Sequence, residues 1–73
     1  STILNGKNNS WKRQTIHQWL ACNGCFQQTA DALNIHKNTC LYRIKKIDNE
    51  CKLDKAMTFT KMYFYSLALH FDN

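Results

Sequence analysis

The stretch between residues 36 and 46 carries the side chains best suited to bind an anionic partner. It holds four of the chain's ten Lys and Arg residues and none of its five acidic residues. These four are Lys37, Arg43, Lys45 and Lys46. Because ammonium and guanidinium groups donate hydrogen bonds to phosphate and carboxylate oxygens, a negatively charged partner is expected here, and nucleic acid is the first candidate.

Helical spacing separates this basic region from an apolar stripe. Side chains at positions i, i+4, i+7 and i+11 fall on one face of an α-helix. Here they are Cys40, Ile44, Ile47 and Cys51. Polar side chains occupy the opposite and lateral positions, among them Thr39, Tyr42, Lys46 and Asn49. The pattern predicts an amphipathic helix with one face for a core and another for the anionic partner.

A second candidate site is the C-x-x-C sequence of residues 22–25, whose spacing suits a thiol redox pair or half of a zinc site. No second C-x-x-C accompanies it, and only His17 and His36 could add nearby ligands. Cys40 and Cys51 cannot bond to each other, because eleven helical residues separate them by about 16 Å. We interpret both as small buried thiols of a reducing compartment and predict no metal, with a metal or redox switch kept as an alternative.

The composition fits one small basic domain. The chain has 73 residues, a formal net charge of +5 and a pI near 9.2. No apolar run approaches the roughly 20 residues of a membrane span, and the polar N-terminus does not suit a secretory signal. Paired carboxylates, a Ser-His-Asp set and a Gly-rich phosphate loop are not visible, so we predict no enzymatic activity and no cofactor. Because the chain starts with Ser, we expect a domain of a longer protein.

Four helices are predicted to position these residues, over 11–22, 26–33, 37–51 and 57–71. Asn23-Gly24 is predicted to end the first helix, and residues 34–36 to connect the second and third tightly. Residues 1–10 are predicted to form a flexible linker, with Ser10 as a helix cap, and residues 11–73 one domain. The predicted fold class is all-α, a small bundle of about four helices that contains a helix-turn-helix.

The last segment, residues 57–71, is apolar on nearly all sides. Its aromatic content would suit a strand over residues 62–65. A helix is favoured, because the run of about 15 residues contains no turn residue. So apolar a helix at a domain end is expected to pack against a dimer partner or the rest of a longer chain.

Residues 35–47 resemble the PucR-type C-terminal helix-turn-helix family of bacterial transcription regulators, the CdaR-like group included. In the family pattern, the positions of residues 35–40 carry a hydrophobic residue, then His, then Arg or Lys, and then Asn-Thr-Leu. After one variable position come Tyr-Arg-Leu at 42–44, and after two more variable positions comes Ile at 47. Further matches over roughly residues 15–71 are Thr15-Ile16, Trp19-Leu20, Asn23-Gly24, Thr29-Ala30 with Leu33, and Leu53-Asp54. The DNA-binding half of Fis-type nucleoid proteins is similar to a lesser degree.

This sequence departs from the family pattern at three positions. Cys40 replaces a core Leu, which reduces the apolar volume. Lys52 replaces a Gly after the third helix, where a positive φ would cost about 1 kcal/mol. Gln27 replaces Ser or a similar cap of the second helix.

The resemblance implies a wingless DNA-binding domain at the C-terminus of a cytoplasmic bacterial regulator, normally preceded by a sensory domain. Its expected partner is double-stranded DNA, contacted by helix 37–51 in the major groove. A homodimer is expected in the full-length regulator, and no membrane is involved. The alternatives are a helical protein-interaction or dimerisation module that uses residues 57–71, and a cysteine-based metal or redox switch.

Ten residues are predicted to contact DNA. The start of a recognition helix reaches base edges, which here assigns His36, Lys37, Asn38 and Thr39. Phosphate or sugar contacts are assigned to Tyr42, Arg43, Lys45, Lys46, Gln27 and Gln28, and the Thr39 hydroxyl also suits a phosphate. Helix capping is the alternative for His36, Asn38 and Thr39, and a solvated face for the lysines. The Tyr42 ring could instead cover a neighbouring helix, and Arg43 could pair with Asp31 or a carbonyl of the first helix.

Overall fold

The computed structural model describes residues 10–71, and the regular structure in that range is entirely α-helical. Its four helices are α1 Ser10–Ala21, α2 Phe26–Leu33, α3 Lys37–Glu50 and α4 Thr58–Phe71. The predicted all-α fold class is confirmed, and the strand considered for residues 62–65 is absent because this segment lies within α4. Ser10 is the first residue of α1, and the rest of the predicted linker lies outside the described residues. None of these helices is long and apolar enough to cross a membrane.

Three of the helices end in the same way, with one non-glycine residue in the left-handed conformation. These residues are Asn23, Asn34 and Lys52, with φ of 59°, 58° and 59°. The next N–H bonds the carbonyl five residues back, from Gly24 to Trp19, Ile35 to Ala30 and Leu53 to Asp48, at 2.9, 2.9 and 2.7 Å. This is the Schellman arrangement, which satisfies carbonyls that have no partner within the helix. The positive φ expected at Lys52 is present.

Helix α1 is the centre of the bundle, because it packs against α2, α3 and α4, while α2 also packs against α3. The core consists of buried side chains from all four helices: Ile16, Trp19, Ala30, Cys40, Ile44, Ile47 and Tyr65. The apolar stripe predicted for α3 therefore faces the core, with Cys51 half-buried at its end. All four cysteines are free thiols.

Candidate nucleic-acid interface

The connection between α2 and α3 is the short turn expected of a helix-turn-helix. The N–H of Asn34 bonds the carbonyl of Asp31 at 3.1 Å, which closes α2. Ile35 then packs against the core cluster, so the turn is held by an apolar side chain. His36 has extended backbone angles, φ −70° and ψ 147°, and redirects the chain into α3. Three residues thus set the position of α3 relative to α2.

His36 is the N-cap of α3. Its Nδ1 accepts a hydrogen bond from the backbone N–H of Asn38 at 3.1 Å, which satisfies one of the donors left free at a helix start. Of the capping alternatives considered for this turn, the one for His36 is therefore present in the structure. Because Nδ1 accepts, the polar hydrogen of the neutral ring is on Nε2, where it is a donor.

The whole first turn of α3 is open to solvent. His36, Lys37, Asn38 and Thr39 are exposed, and burial begins at Cys40, which is 0% exposed. One helical turn advances about 5.4 Å, so a short length of helix projects from the packed body with polar side chains on all sides. A projecting helix end of this kind can enter a groove of a partner without disturbing the core.

The exposed side of α3 continues this polar surface along the helix. Tyr42 is 66% exposed, so its ring does not cover a neighbouring helix as the alternative proposed. Tyr42, Lys45 and Lys46 line one open groove of about 300 Å³, together with Asn49 and Glu50. Within the described part of the chain, Lys37, Lys45 and Lys46 have no ion-pair partner. Their charges are therefore available to an external anion.

Both acidic residues of α3, in contrast, are paired with cations of other helices. Glu50 Oε1 lies 2.6 Å from Nζ of Lys12 in α1. Asp48 is 4% exposed, its Oδ2 lies 2.8 Å from Nζ of Lys61, and its Oδ1 accepts a hydrogen bond from the hydroxyl of Tyr65. Burial, and secondly this hydrogen bond, raises the pKa of Tyr65 far above its ordinary value. These contacts attach the C-terminal half of α3 to α1 and α4.

Arg43 lies against α1. The side chain is half-buried, and Cζ lies 5.8 Å from the ring centroid of Trp11, within the range of a cation–π contact. The alternative of a contact with the first helix is thus partly met, although the partner is an aromatic ring and not a carbonyl. Asp31, the other suggested partner, accepts a hydrogen bond from Gln27 Nε2 at 2.9 Å.

The start of α2 offers a further set of donors. Gln27 and Gln28 are exposed, and α2 begins at Phe26 after an N-cap at Cys25 that makes no side-chain hydrogen bond. The family pattern suggested a cap at the position of Gln27, but the N-cap is Cys25. The backbone at Cys25 is extended, and the helix begins at the next residue. The side chain of Cys25 therefore does not occupy the first N–H groups of α2, the kind of donor that binds anions at helix starts.

A model of the PucR C-terminal helix-turn-helix domain family matches residues 13–70. The chain belongs to this family. No match is found among curated proteins or among solved structures. The matched range contains α2, the turn and α3 complete, so the exposed first turn lies in the helix-turn-helix unit that defines the PucR-type domain.

The C-x-x-C sequence of this PucR-type domain lies at the turn between α1 and α2. The N–H of Cys25 bonds the carbonyl of Cys22 at 3.2 Å, and the Cys22 thiol accepts from Gln18 Nε2 at 3.4 Å. Cys25 is exposed and Cys22 half-buried. Within residues 10–71, no three His, Cys, Asp or Glu side chains lie close enough to hold a metal ion. Nothing in this geometry favours the metal or redox alternative.

Proposed function

We propose that this PucR-type domain is a sequence-specific DNA-binding domain of a bacterial transcription regulator, acting in the cytoplasm without catalysis. In this proposal α3 lies in the major groove of double-stranded DNA. The observation that carries it is the combination of an exposed, polar first turn of α3 with three lysines that have no partner in the described structure. Family membership supports the same assignment, because the helix-turn-helix is a DNA-binding motif.

Base contacts are assigned to the first turn of α3. Lys37 can donate to guanine O6 or N7, and Asn38 can make paired hydrogen bonds to adenine N6 and N7. The Nε2–H of His36 is a further donor, which remains available because the capping bond uses only Nδ1. His36 is thus assigned both roles, as cap and as base contact.

Contacts to the DNA backbone surround this turn. Thr39, Tyr42, Lys45 and Lys46 are assigned to phosphates along α3, and Gln27 and Gln28 to phosphates at the start of α2. Arg43 is assigned to the seam between α1 and α3, with the guanidinium edge that is not stacked on Trp11 left to a phosphate. Such contacts orient the helix but carry no sequence information directly.

The salt dependence of binding tests the proposal. With about four phosphates neutralised, the affinity for a labelled duplex should fall by about two orders of magnitude between about 50 and 200 mM salt, measured by fluorescence anisotropy. Lys46→Ala should reduce the slope of the salt dependence by about one. Lys55→Ala, in the exposed loop before α4, is the matched control and should leave the slope unchanged. Unchanged affinity over this range, or no binding at low salt, contradicts the proposal.

A protein-interaction module is the second candidate, and the exposed aromatic side chains of α4 favour it. The two functions use different surfaces, so they can be separated. Replacing Lys37, Lys45 and Lys46 together by Ala should abolish DNA binding and leave any contact through α4 intact.

A further inference from the structure

The outer face of α4 carries an exposed apolar ridge. Phe59, Tyr63, Leu67 and Phe71 follow one another at intervals of four residues and are 82%, 70%, 40% and 76% exposed. The opposite face of the same helix holds Tyr65, which is 0% exposed and contacts Trp19 of α1 edge-on at 6.1 Å between centroids. Because α4 packs chiefly against α1, the ridge has no cover within the described residues.

The ridge carries no fixed charge. Lys61 is the only Lys, Arg, Asp or Glu residue in α4, and its ammonium group is turned inward to Asp48 at 2.8 Å. The chain has a net charge of +5, so this uncharged apolar face differs from the basic character of the domain as a whole. A partner held by ion pairs has nothing to bind here, whereas another uncharged apolar helix is complementary.

The spacing of the ridge specifies what kind of helix fits it. Rows of side chains at i, i+4 and i+8 are the ridges that interlock in the commonest class of helix packing, with a crossing angle of about 50°. The groove beside this row contains the small Ser66, also on α4, so one helix supplies both the ridge and the groove. We propose that α4 pairs with α4 of a second copy, about a two-fold axis that passes between Tyr63 and Leu67.

The area of the ridge is adequate for such a pair. A buried aromatic side chain covers about 150–250 Å². The four ridge side chains, which are 82%, 70%, 40% and 76% exposed, leave several hundred Å² of mostly apolar surface in water. This is more than half of the roughly 800 Å² per partner of a specific interface and is comparable to the largest apolar patch of a typical monomer.

Pairing through α4 leaves the first turn of α3 open. Asp48, where α4 is bonded to α3, lies ten residues and thus about 15 Å along the helix from Asn38. A two-fold pair would therefore present two recognition helices at once, as paired half-sites about 34 Å apart require. This last step rests on the proposed function, whereas the pairing of α4 does not.

Sedimentation equilibrium of the 73-residue chain tests the pairing. We expect a dimer whose dissociation constant rises about 100-fold or more in Leu67→Glu, because two unpaired carboxylates would meet near the axis. Since Leu67 is partly exposed, the helical circular dichroism of the variant should be unchanged. Gln14→Glu, on an exposed position of α1, is the matched control and should still dimerise.

Mixing variants identifies the second copy as the partner. Leu67→Glu and Leu67→Lys should each be monomeric alone and form a heterodimer when mixed, because opposite charges then meet at the axis. If the mixture stays monomeric, or if Leu67→Glu dimerises like the parent chain, the proposed pairing is wrong. A parent chain that is monomeric up to roughly 100 μM overturns it as well.

Salt separates this inference from the proposed function. An interface without charge pairs between two +5 domains should hold or strengthen from about 50 to 200 mM salt, the range in which DNA binding should weaken. A dimer that dissociates with salt contradicts the pairing. A salt-resistant dimer without DNA affinity would refute only the proposed function, and a monomer that binds a half-site would refute only the pairing.

Discussion

The C-terminal end of α3 and its exposed side differ in whether their charged side chains are paired within the fold. In the C-terminal half, Asp48 and Glu50 are each within 3 Å of a lysine from another helix. In the N-terminal half and along the outer side, Lys37, Lys45 and Lys46 have no such partner within the described residues. The same residue type therefore serves two purposes in one small domain: Lys12 and Lys61 fix the helix, and the three unpaired lysines remain for a ligand.

The difference shows how one helix of a small domain can be attached to its neighbours by some charged residues and keep other charged residues for a partner. A charge that is paired inside the fold attracts an external partner only weakly, since the opposite charge a few ångströms away cancels most of its field. An unpaired surface charge contributes little to folding but retains its attraction for an anion. Substitutions of the paired and of the unpaired charged residues should accordingly affect different properties.

The largest effect on folding is expected at Asp48. Asp48→Ala should lower the free energy of unfolding by about 3 kcal/mol, because it leaves the Lys61 ammonium and the Tyr65 hydroxyl without their buried partner. Glu50→Ala, which breaks the more exposed pair with Lys12, is the matched control and should cost less than about 1 kcal/mol. Urea unfolding measures both, and equal losses would show that burial does not distinguish the two pairs.

The next largest effect is expected on DNA binding, on the exposed side of α3. Lys37→Ala should cost about 1–3 kcal/mol on the preferred site and relax the base preference, since a base contact is lost. Lys46→Ala should weaken binding to all sequences alike. A selection of bound duplexes from a random pool compares the two variants. An unchanged base preference in Lys37→Ala would remove this residue from the base-contacting set.

High pH should destabilise the packed core of the domain. Burial raises the pKa of Cys40 and of Cys51, and it raises the pKa of Tyr65 most of all. A group whose pKa is raised by folding stabilises the fold fully at pH values below its pKa in the unfolded chain. Above that pKa the unfolded chain loses the proton while the folded chain still holds it, so this stability is lost as the pH rises toward the folded pKa. The free energy of unfolding should therefore fall above about pH 9, approaching about 1.4 kcal/mol per pH unit for each fully titrating group.

Tyr65→Phe identifies the contribution of tyrosine to this alkaline loss. The variant keeps the ring and removes the titrating hydroxyl, so the decline of stability above about pH 10 should become shallower. Tyr63→Phe, on the exposed ridge, is the control and should leave the decline unchanged. Identical pH profiles for Tyr65→Phe and the parent chain would contradict this assignment.

The smallest effect is expected at the end of α3. Lys52→Gly should raise the free energy of unfolding by about 1 kcal/mol, because Gly adopts a φ of 59° without steric cost. Asn34→Gly, at the equivalent position of α2, is the control and should change stability by less, since Asn already tolerates this conformation. Thermal unfolding compares the two, and a loss of stability in Lys52→Gly would show that its side chain makes a contribution that outweighs the backbone strain.

The helices and the turn could be predicted from the sequence because their signals are local. The spacing of Cys40, Ile44 and Ile47 defines the buried face of α3, and Asn23-Gly24 specifies a helix end by backbone conformation alone. The exposure of residues 36–39 follows from their position before the apolar stripe. The roles of these residues toward DNA remain predictions.

The contacts between helices could not be predicted in the same way, because they depend on how distant segments meet. Asp48 pairs with Lys61 and Tyr65, 13 and 17 residues further along the chain. One signal was nevertheless present: Asp48 lies four residues after Ile44, so the apolar stripe itself places a carboxylate on the buried side, where it requires a partner. Arg43 was ambiguous for a similar reason, since nothing local indicates that Trp11 lies beside it.

Under the proposed function, the cap of α3 has a consequence for engineering the domain toward new operators. Any replacement of His36 must supply an acceptor for the Asn38 N–H, so the base contact proposed for this position is coupled to the formation of the helix. Ser, Thr and Asn meet that requirement, whereas Asp would cap well but place a negative charge facing the DNA phosphates. Lys37 carries no such constraint. A library that randomises position 37 fully and limits position 36 to these few residues would explore new specificities while preserving the fold.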